Sequence, residues 1–446
     1  MTVLLCFALF LAAVFACLML GLSLVPALLF GLVLFTSLGL MRGHSLSALA
    51  STAWAKGRTS LIVVSVFLVI GVITALWRAS GTIAFFLYHG LGGISPPLFL
   101  LTAFLLSALL SFSLGSSFGV VGTCGVILIT MARSGGVDPA ITAGAILSGA
   151  YFGDRCSPMS SCAMLVAACT GTELYRNIRE MLKTVALPTV LTTAAFAVLS
   201  VRNPISAADT EVLSALGEQF SLHWAALLPA IVLLALCLFQ VPVKWAMAAG
   251  AAAAFVLAVL LQGMTPAEAL RAAVFGYQPT HEALKQILSG GGVASMLSSG
   301  LVVFLTSVYI GILEGIHALD SAHAWVERIT NKLGLFPAAA LLSVLLAAVF
   351  CNQSATILMG EQLLSESYRR QNASRTELAM DIANSGVVIA PLIPWNIALS
   401  VPLSMLDMGL EAWPWCVLLY LIPLCYLPTK RYFRAGQNRP VSPERT

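Results

Sequence analysis

The sequence predicts an all-α, polytopic membrane protein, and three observations predict it. Of 446 residues, 59% are hydrophobic and only 9% are charged, against roughly 25% charged in soluble domains. Mean hydropathy is +0.94. The apolar runs are continuous and about 20 residues long, the length of a helix that crosses a bilayer, whereas barrel strands alternate over about ten residues. In lipid the backbone must satisfy its own hydrogen bonds, so runs of this kind are helices.

Ten spans follow in order: Thr2–Leu20, Leu24–Met41, Leu61–Trp77, Pro97–Ala132, Thr184–Ser200, Trp224–Phe239, Trp245–Gln262, Gly292–Gly315, Phe336–Gly360 and Trp413–Pro428. The first has no basic residue before Arg42. It lacks the basic start of a secretory signal and reads as a retained helix. Two further apolar segments, Ala140–Ala168 and Ala379–Leu403, are interrupted by Gly, Pro and Asp. They read as re-entrant hairpins or broken helices, which membranes tolerate where the backbone faces protein or a wet cavity. The ten cysteines include no C-x-x-C pair, so neither a zinc site nor a disulfide framework is expected.

Basic residues set the orientation. With both termini cytoplasmic, cytoplasmic loops hold Lys56, Arg58, Arg133, Arg176, Arg179, Lys183 and Lys244. The tail adds Lys430, Arg431, Arg434, Arg439 and Arg445; Arg369, Arg370 and Arg375 stand against this orientation. The net charge of +4 is then a matter of topology, and no nucleic-acid partner is expected. LLSALL at Leu105 is followed by GSSFG, and LLSVLL at Leu341 by CNQSA. Ser148-Gly149 and Ser385-Gly386 follow, then Pro158 and Pro394. Five spans and one hairpin per half make the second half an inverted copy of the first. The expected units are 1–205, 206–428 and a basic cytoplasmic tail, 429–446. Paired broken helices in inverted repeats are a transporter architecture, with sites near the bilayer midplane.

Four clusters carry chemistry. In Gly115–Thr123 (GSSFGVVGT), Ser116, Ser117 and Thr123 interrupt an apolar run. Close helix packing is the plain alternative. GSSFG also fits the G-x-S-x-G pattern of hydrolases, but the six histidines fall at or near loops, so an intramembrane hydrolase is a remote reading. In Ser148–Pro158, Asp154 and Arg155 stand in an apolar segment. An intramembrane ionisable group is costly and marks function by default, and Asp154 is preferred over Arg155. In Phe350–Thr356, Asn352 and Gln353 offer neutral oxygens. In Asp381–Asn396, Asp381, Asn384 and Ser385 are further ligands. Gly149, Gly153, Pro158, Gly386, Pro391 and Pro394 are the expected helix breakers. Glu314 ends a span and is either a buried proton site or a surface residue.

Taken together, these clusters resemble the Na+/H+ antiporter NhaC family, within the ion-transporter superfamily. The carriers are AGAILSGAYFGDRCSP (Ala143–Pro158), GTELYRNIR (Gly171–Arg179), GGGVASM (Gly290–Met296), CNQ (Cys351–Gln353) and PLIPWN (Pro391–Asn396). The resemblance implies Na+ exchanged for protons, with organic acids or amino acids carried by some members. Where the family commonly continues the first hairpin with a further acidic residue, hydroxyls and an asparagine, this chain has Ser161, Cys162, Ala163 and Met164, and where the family commonly has Glu-Asp before the second Ser-Gly it has Ala383-Asn384; Asp154 is retained.

The expected protein is therefore not an enzyme but a secondary transporter of the inner membrane. Asp154 and Asp381 would titrate and Na+ would bind at Asp154. Ser116, Ser117, Thr123, Asn352, Gln353, Asn384 and Ser385 would be neutral ligands. No cofactor is expected beyond the transported Na+ and H+. The bilayer is the partner, and a homodimer is compatible with the sequence. Coupled transport of an organic acid or amino acid is the alternative.

Overall fold

The computed structural model describes residues 2–20, 22, 24–93, 96–205, 210–239, 241–316 and 323–437. His317 and the tail beyond Gln437, with Arg439 and Arg445, lie outside them. Every regular element among the described residues is helical, save one isolated antiparallel bridge between Tyr277 and Gly290.

Helices α1 (Thr2–Met19), α2 (Val25–Met41), α3 (Leu46–Ala79) and α4 (Thr82–Gly93) lead into a first unit of broken helices. That unit is α5 (Phe99–Leu114), α6 (Ser117–Val120), α7 (Val126–Ser134), α8 (Pro139–Cys156), α9 (Ser161–Thr170) and α10 (Leu174–Arg202); a π-helical turn at Val121–Gly125 joins α6 to α7. A middle set follows: α11 (Thr210–Gln219), α12 (Leu228–Leu238), α13 (Val243–Leu260), α14 (Pro266–Phe275), α15 (Glu282–Leu288), α16 (Val293–Gly315) and α17 (His323–Leu333). The second unit is α18 (Leu335–Phe350), α19 (Gln353–Arg370), α20 (Arg375–Asn384), α21 (Gly386–Ile389), α22 (Ile397–Met405) and α23 (Val417–Gln437).

By length and composition, four helices can cross a membrane: Leu46–Ala79, Ser117–Ser134, Leu174–Arg202 and Val293–Gly315. The pair Arg375–Leu392 and Ile397–Met405, bent by 51°, makes a fifth. The other apolar helices, Val25–Met41 and Phe99–Leu114 among them, are shorter.

The two units repeat their local backbone at a constant spacing of 236 positions. Gly115 (φ 67) and Cys351 (φ 51) end α5 and α18 in the left-handed region. Ser116 (φ −145, ψ 117) and Asn352 (φ −141, ψ 127) then cap the next helices, each accepting a backbone N–H with its side chain. Asp138 and Ser374 cap α8 and α20, and Ser160 and Asn396 cap α9 and α22. Gly171 (φ 62) and Asp407 (φ 53) close the pattern. In this register Ser148 pairs with Asn384, one position away from the Ser385 that the sequence match suggests.

Several expectations need correction. Pro97–Ala132 and Phe336–Gly360 are not single spans; each breaks, at Gly115-Ser116 and at Cys351-Asn352. Gly149 and Gly153 do not break anything, for α8 runs unbroken through both. They allow close approach instead: a Cβ on Gly153 would lie 2.0 Å from the Ser111 carbonyl carbon, and one on Gly149 2.4 Å from the Phe104 carbonyl oxygen. Pro158 and Pro394 do lie in breaks, Pro391 sits in a short 3-10 turn, and Gly386 opens α21. Lys56 and Arg58 lie inside α3, not in a loop, because nothing in the Ala- and Ser-rich stretch after Leu46 stops a helix; Lys56 pairs with Glu314 of α16 at 2.7 Å. Arg176, Arg179 and Lys183 likewise belong to α10. Lys430 and Arg431, expected in the tail, continue α23.

Candidate functional site

A helix that breaks leaves carbonyls at its C-terminal end and N–H groups at the next N-terminal end without partners. Here the breaks satisfy one another. Trp395 Nε1 donates to the Ala348 carbonyl at 2.7 Å, and Asn396 Nδ2 to that of Ala347 at 2.9 Å. The Ile397 amide donates to the Cys351 carbonyl at 3.0 Å. In the first unit the Ser160 hydroxyl bonds the Asp154 carbonyl, and the Tyr151 hydroxyl crosses to the carbonyl of Ala398. These bonds join the two breaks of the second unit to each other and to α8 of the first, and Trp395 serves there as a cap.

A cavity of about 290 Å³ opens in that region. Four helix N-termini reach it, through Ser116, Phe118 and Gly119, through Ser161-Cys162, through Asn352–Ser354 and through Ile397-Ala398. Each presents the positive end of its helix dipole. Its other walls are Ile62, Val66 and Phe67 of α3, Lys244 and Met247 of α13, and Val303 of α16. Asp154 is the carboxylate among the lining residues, at the last turn of α8 and only 5% exposed. Its carboxylate interacts with Cys162, with Gln353 and with both the backbone and side chain of Ser117. Among the described residues no ion pair to it is found. Gln353 is held in place, its amide nitrogen donating to the Val387 carbonyl at 2.7 Å and its oxygen accepting from the Cys162 thiol at 3.3 Å.

The structure thus brings together Asp154, Ser116, Ser117, Asn352 and Gln353. It does not bring the remaining predicted ligands to the cavity. Thr123 turns back on its own helix, donating to the Gly119 carbonyl at 2.6 Å. Asn384 accepts from Arg155 at 2.7 Å. Ser385 donates to the Asp381 carbonyl at 2.6 Å. Asp381 lies among Tyr368, Tyr426 and Lys430. Ser117 begins a helix that follows a helix, and no histidine is among the lining residues. The strand-to-helix elbow of a hydrolase is not formed.

Sequence reading missed Lys244. Its ammonium donates to Ser65 of α3 at 2.7 Å. A lysine just after Pro242, at the start of an apolar run, looks like a loop flank, and its only signal is its position one residue into α13. Cys162 was visible only as a departure from the expected pattern, and the walls from α3 and α16 carried no signal at all.

A family model described as "Na+/H+ antiporter family" matches residues 1–170 and 149–429. The chain is 28% identical over 366 residues to the malate-2H+/Na+-lactate antiporter of Bacillus subtilis, spanning 80% of this chain and 78% of that one. It is 28% identical over 365 residues to the Na+/H+ antiporter NhaC of Alkalihalophilus pseudofirmus, spanning 79% and 78%. It is 27% identical over 340 residues to the arginine/ornithine antiporter ArcD of Halobacterium salinarum, spanning 74% and 70%.

Proposed function

Because the chain belongs to the Na+/H+ antiporter family, we propose that it exchanges Na+ for H+ across a membrane and that Asp154 carries both ions in turn. The observation behind this reading is a buried carboxylate facing a cavity, with uncharged hydrogen-bonding groups as its partners and, among the described residues, no ion pair to it. An ionised carboxylate out of water is costly until a cation or proton neutralises it, so the two compete for it. Ser117, Gln353 and Asn352 supply neutral oxygens for Na+, and the four helix N-termini stabilise the carboxylate while the site is empty. Movement of one broken-helix unit against the rest would expose the site to each side in turn. The same reading takes the units as inverted repeats with ten crossings, both termini cytoplasmic, in the inner membrane. Discharge of a preset ΔpH in everted vesicles on adding Na+, and its loss in Asp154→Asn, tests the exchange. A reporter fused after Thr446 tests the topology.

One observation favours a second reading, coupled transport of a small organic acid. Lys244 and the apolar side chains of Phe67, Phe118, Met247 and Ile397 line the same cavity. A cation beside apolar walls suits a carboxylate with a short hydrocarbon body. The Bacillus subtilis relative named for malate and lactate is consistent with it. Counterflow of labelled carboxylates in proteoliposomes separates the two readings.

A further inference from the structure

The helix ends around the cavity fall on two faces. Gly171 closes α9 and Arg375 opens α20, and a Cβ on Gly171 would lie 2.7 Å from Arg375 Nη1. The end of α19 meets α17, where Arg370 pairs with Glu327 and Gln371 Nε2 donates to Asn331 Oδ1 at 3.2 Å. Lys430, toward the end of α23, pairs with Glu377 near the start of α20 at 3.0 Å. These ends share one face. From it α10 runs from Leu174 to Arg202, on the opposite face. There the Leu100 amide of α5 donates to Ser200 Oγ of α10 at 3.0 Å, and Arg133 of α7 donates to the Asp407 carbonyl beyond α22 at 2.7 Å. Arg78, near the end of α3, is within electrostatic reach of Arg133 and Asp407. The first face carries Arg176, Arg369, Arg370, Arg375, Lys430 and Arg431, and the second Arg78, Arg133 and Arg202. Arg369, Arg370 and Arg375 thus share a side with Arg176 and the end of α23. An excess of Lys and Arg is the mark of the cytoplasmic side.

The cavity differs toward these two faces. Toward the first, α9 leaves it at Ser161, α19 at Gln353, and α3 passes it at Ile62. Ser161 and Ser354 line the cavity yet are exposed, and Ile62 is 67% exposed. Farther along the same helices, Cys169 of α9 and Glu361 of α19 lie close together, with Arg375 as a charged neighbour of Glu361. Glu361 stands about 12 Å along α19 from Gln353. With the cavity near the midplane, that is within a hydrocarbon half-thickness of about 15 Å. A partly exposed carboxylate at that depth needs water beside it rather than lipid. Toward the second face the space is filled. Phe67 of α3 and Phe118 of α6 meet edge to face, ring centroids 5.7 Å apart. A Cβ on Gly122 would lie 3.1 Å from Ile70 Cγ2 and 3.6 Å from Met405 Sδ. Gly119, Ile397 and Ala398, which line the cavity on this side, are buried.

We propose that the cavity opens to the basic, cytoplasmic face between α3 and the pair α9 and α19, and that Phe67 and Ile70, packed on Phe118, Gly122 and Met405, form the gate that shuts it from the other side. Only the identity of the ion rests on the exchange reading; the open side and the gate stand on packing. In this conformation Asp154 trades ions with the cytoplasm. Trade with the far side requires Phe118 to part from Phe67 while α9 and α19 close on α3. Phe67 and Phe118 are positioning residues that set which side reaches Asp154.

The test uses the full chain with its native cysteines replaced, in everted and right-side-out vesicles. Arg369→Cys should react with a membrane-impermeant methanethiosulfonate from the cytoplasmic side; labelling from outside overturns the assignment of the faces. Ser354→Cys should react at least tenfold faster from the cytoplasmic side. Equal rates, or faster labelling from outside, overturn the open side. For the gate, Phe67→Cys is combined with Phe118→Cys. Oxidation should cut Na+-driven proton flux at least tenfold, and dithiothreitol should restore it. Undiminished flux after complete crosslinking overturns the gate. Ile70→Cys with Met405→Cys carries the same expectation should the first pair misfold. Labelling needs no transport, so a chain that labels from the cytoplasm yet moves no Na+ refutes exchange and leaves the open side standing.

Discussion

The units 99–202 and 335–437 share their breaks and differ in their charges. Both have a left-handed residue, a polar cap and a second break, each 236 positions apart. At the positions of Asp154 and Arg155, the second unit has Ala390 and Pro391. At the position of Asp381, the first has Ala145, packed in the apolar core. The carboxylates are therefore not counterparts. One stands at the last turn of a helix, beside a break, and faces the cavity. The other also stands in the last turn of its helix, α20, but lies away from the cavity, under two tyrosines and a lysine. The comparison teaches that the breaks open the cavity, and that burial of a carboxylate alone does not put it on that cavity.

The sharpest way to break this comparison is to neutralise each carboxylate. Asp154→Asn should lower Na+-driven proton flux at least about 100-fold, since it removes both the charge and the titration. Asp154→Glu should retain part of it with altered apparent Na+ affinity. Asp381→Asn should keep flux within a few-fold of wild type. Equal losses at both positions would erase the distinction between the two units.

The ion pair at Lys430 should dominate stability. Removing one partner of a buried pair strands a charge, at about 3–5 kcal/mol. Lys430→Met should therefore lower the unfolding midpoint in detergent far more than Lys56→Met, whose partnership with Glu314 is half exposed. Gly115 and Cys351 sharpen the comparison at the breaks. A Cβ on Gly115 would lie 2.4 Å from the Met159 carbonyl carbon, so Gly115→Ala should cost about 1–3 kcal/mol through forced backbone shifts. Cys351→Gly, by contrast, relieves a left-handed non-glycine residue but loses a buried thiol close to Tyr309. Its net effect on the midpoint should be the smallest here, within about 1 kcal/mol.

The site was legible to different degrees. The polar clusters at Ser116-Ser117 and Asn352-Gln353 were readable because hydroxyls and amides in an apolar run have few uses in lipid. The neighbouring repeat LLSALL/LLSVLL placed them as counterparts. That Gln353 and Ser117 would meet Asp154 followed only from the folding of α8, α9 and α19 together. Asp381 looked equivalent to Asp154 because both interrupt apolar sequence. Its partner Lys430 lies 49 positions away, in a segment whose basic composition resembles a membrane anchor.

Composition and run length by themselves determined that the chain is helical and belongs in a membrane, because a backbone in lipid has few other ways to bond. Glycine, proline and polar residues inside apolar runs determined where helices are interrupted, because these effects are local to a turn or two. Tertiary structure alone decided which interruptions meet, which carboxylate faces the cavity, and that Lys244 and Lys430 turn inward. Charge compensation depends on distance in space, and for Asp381 and Lys430 that distance is set by the packing of α20 against α23 rather than by anything in either segment.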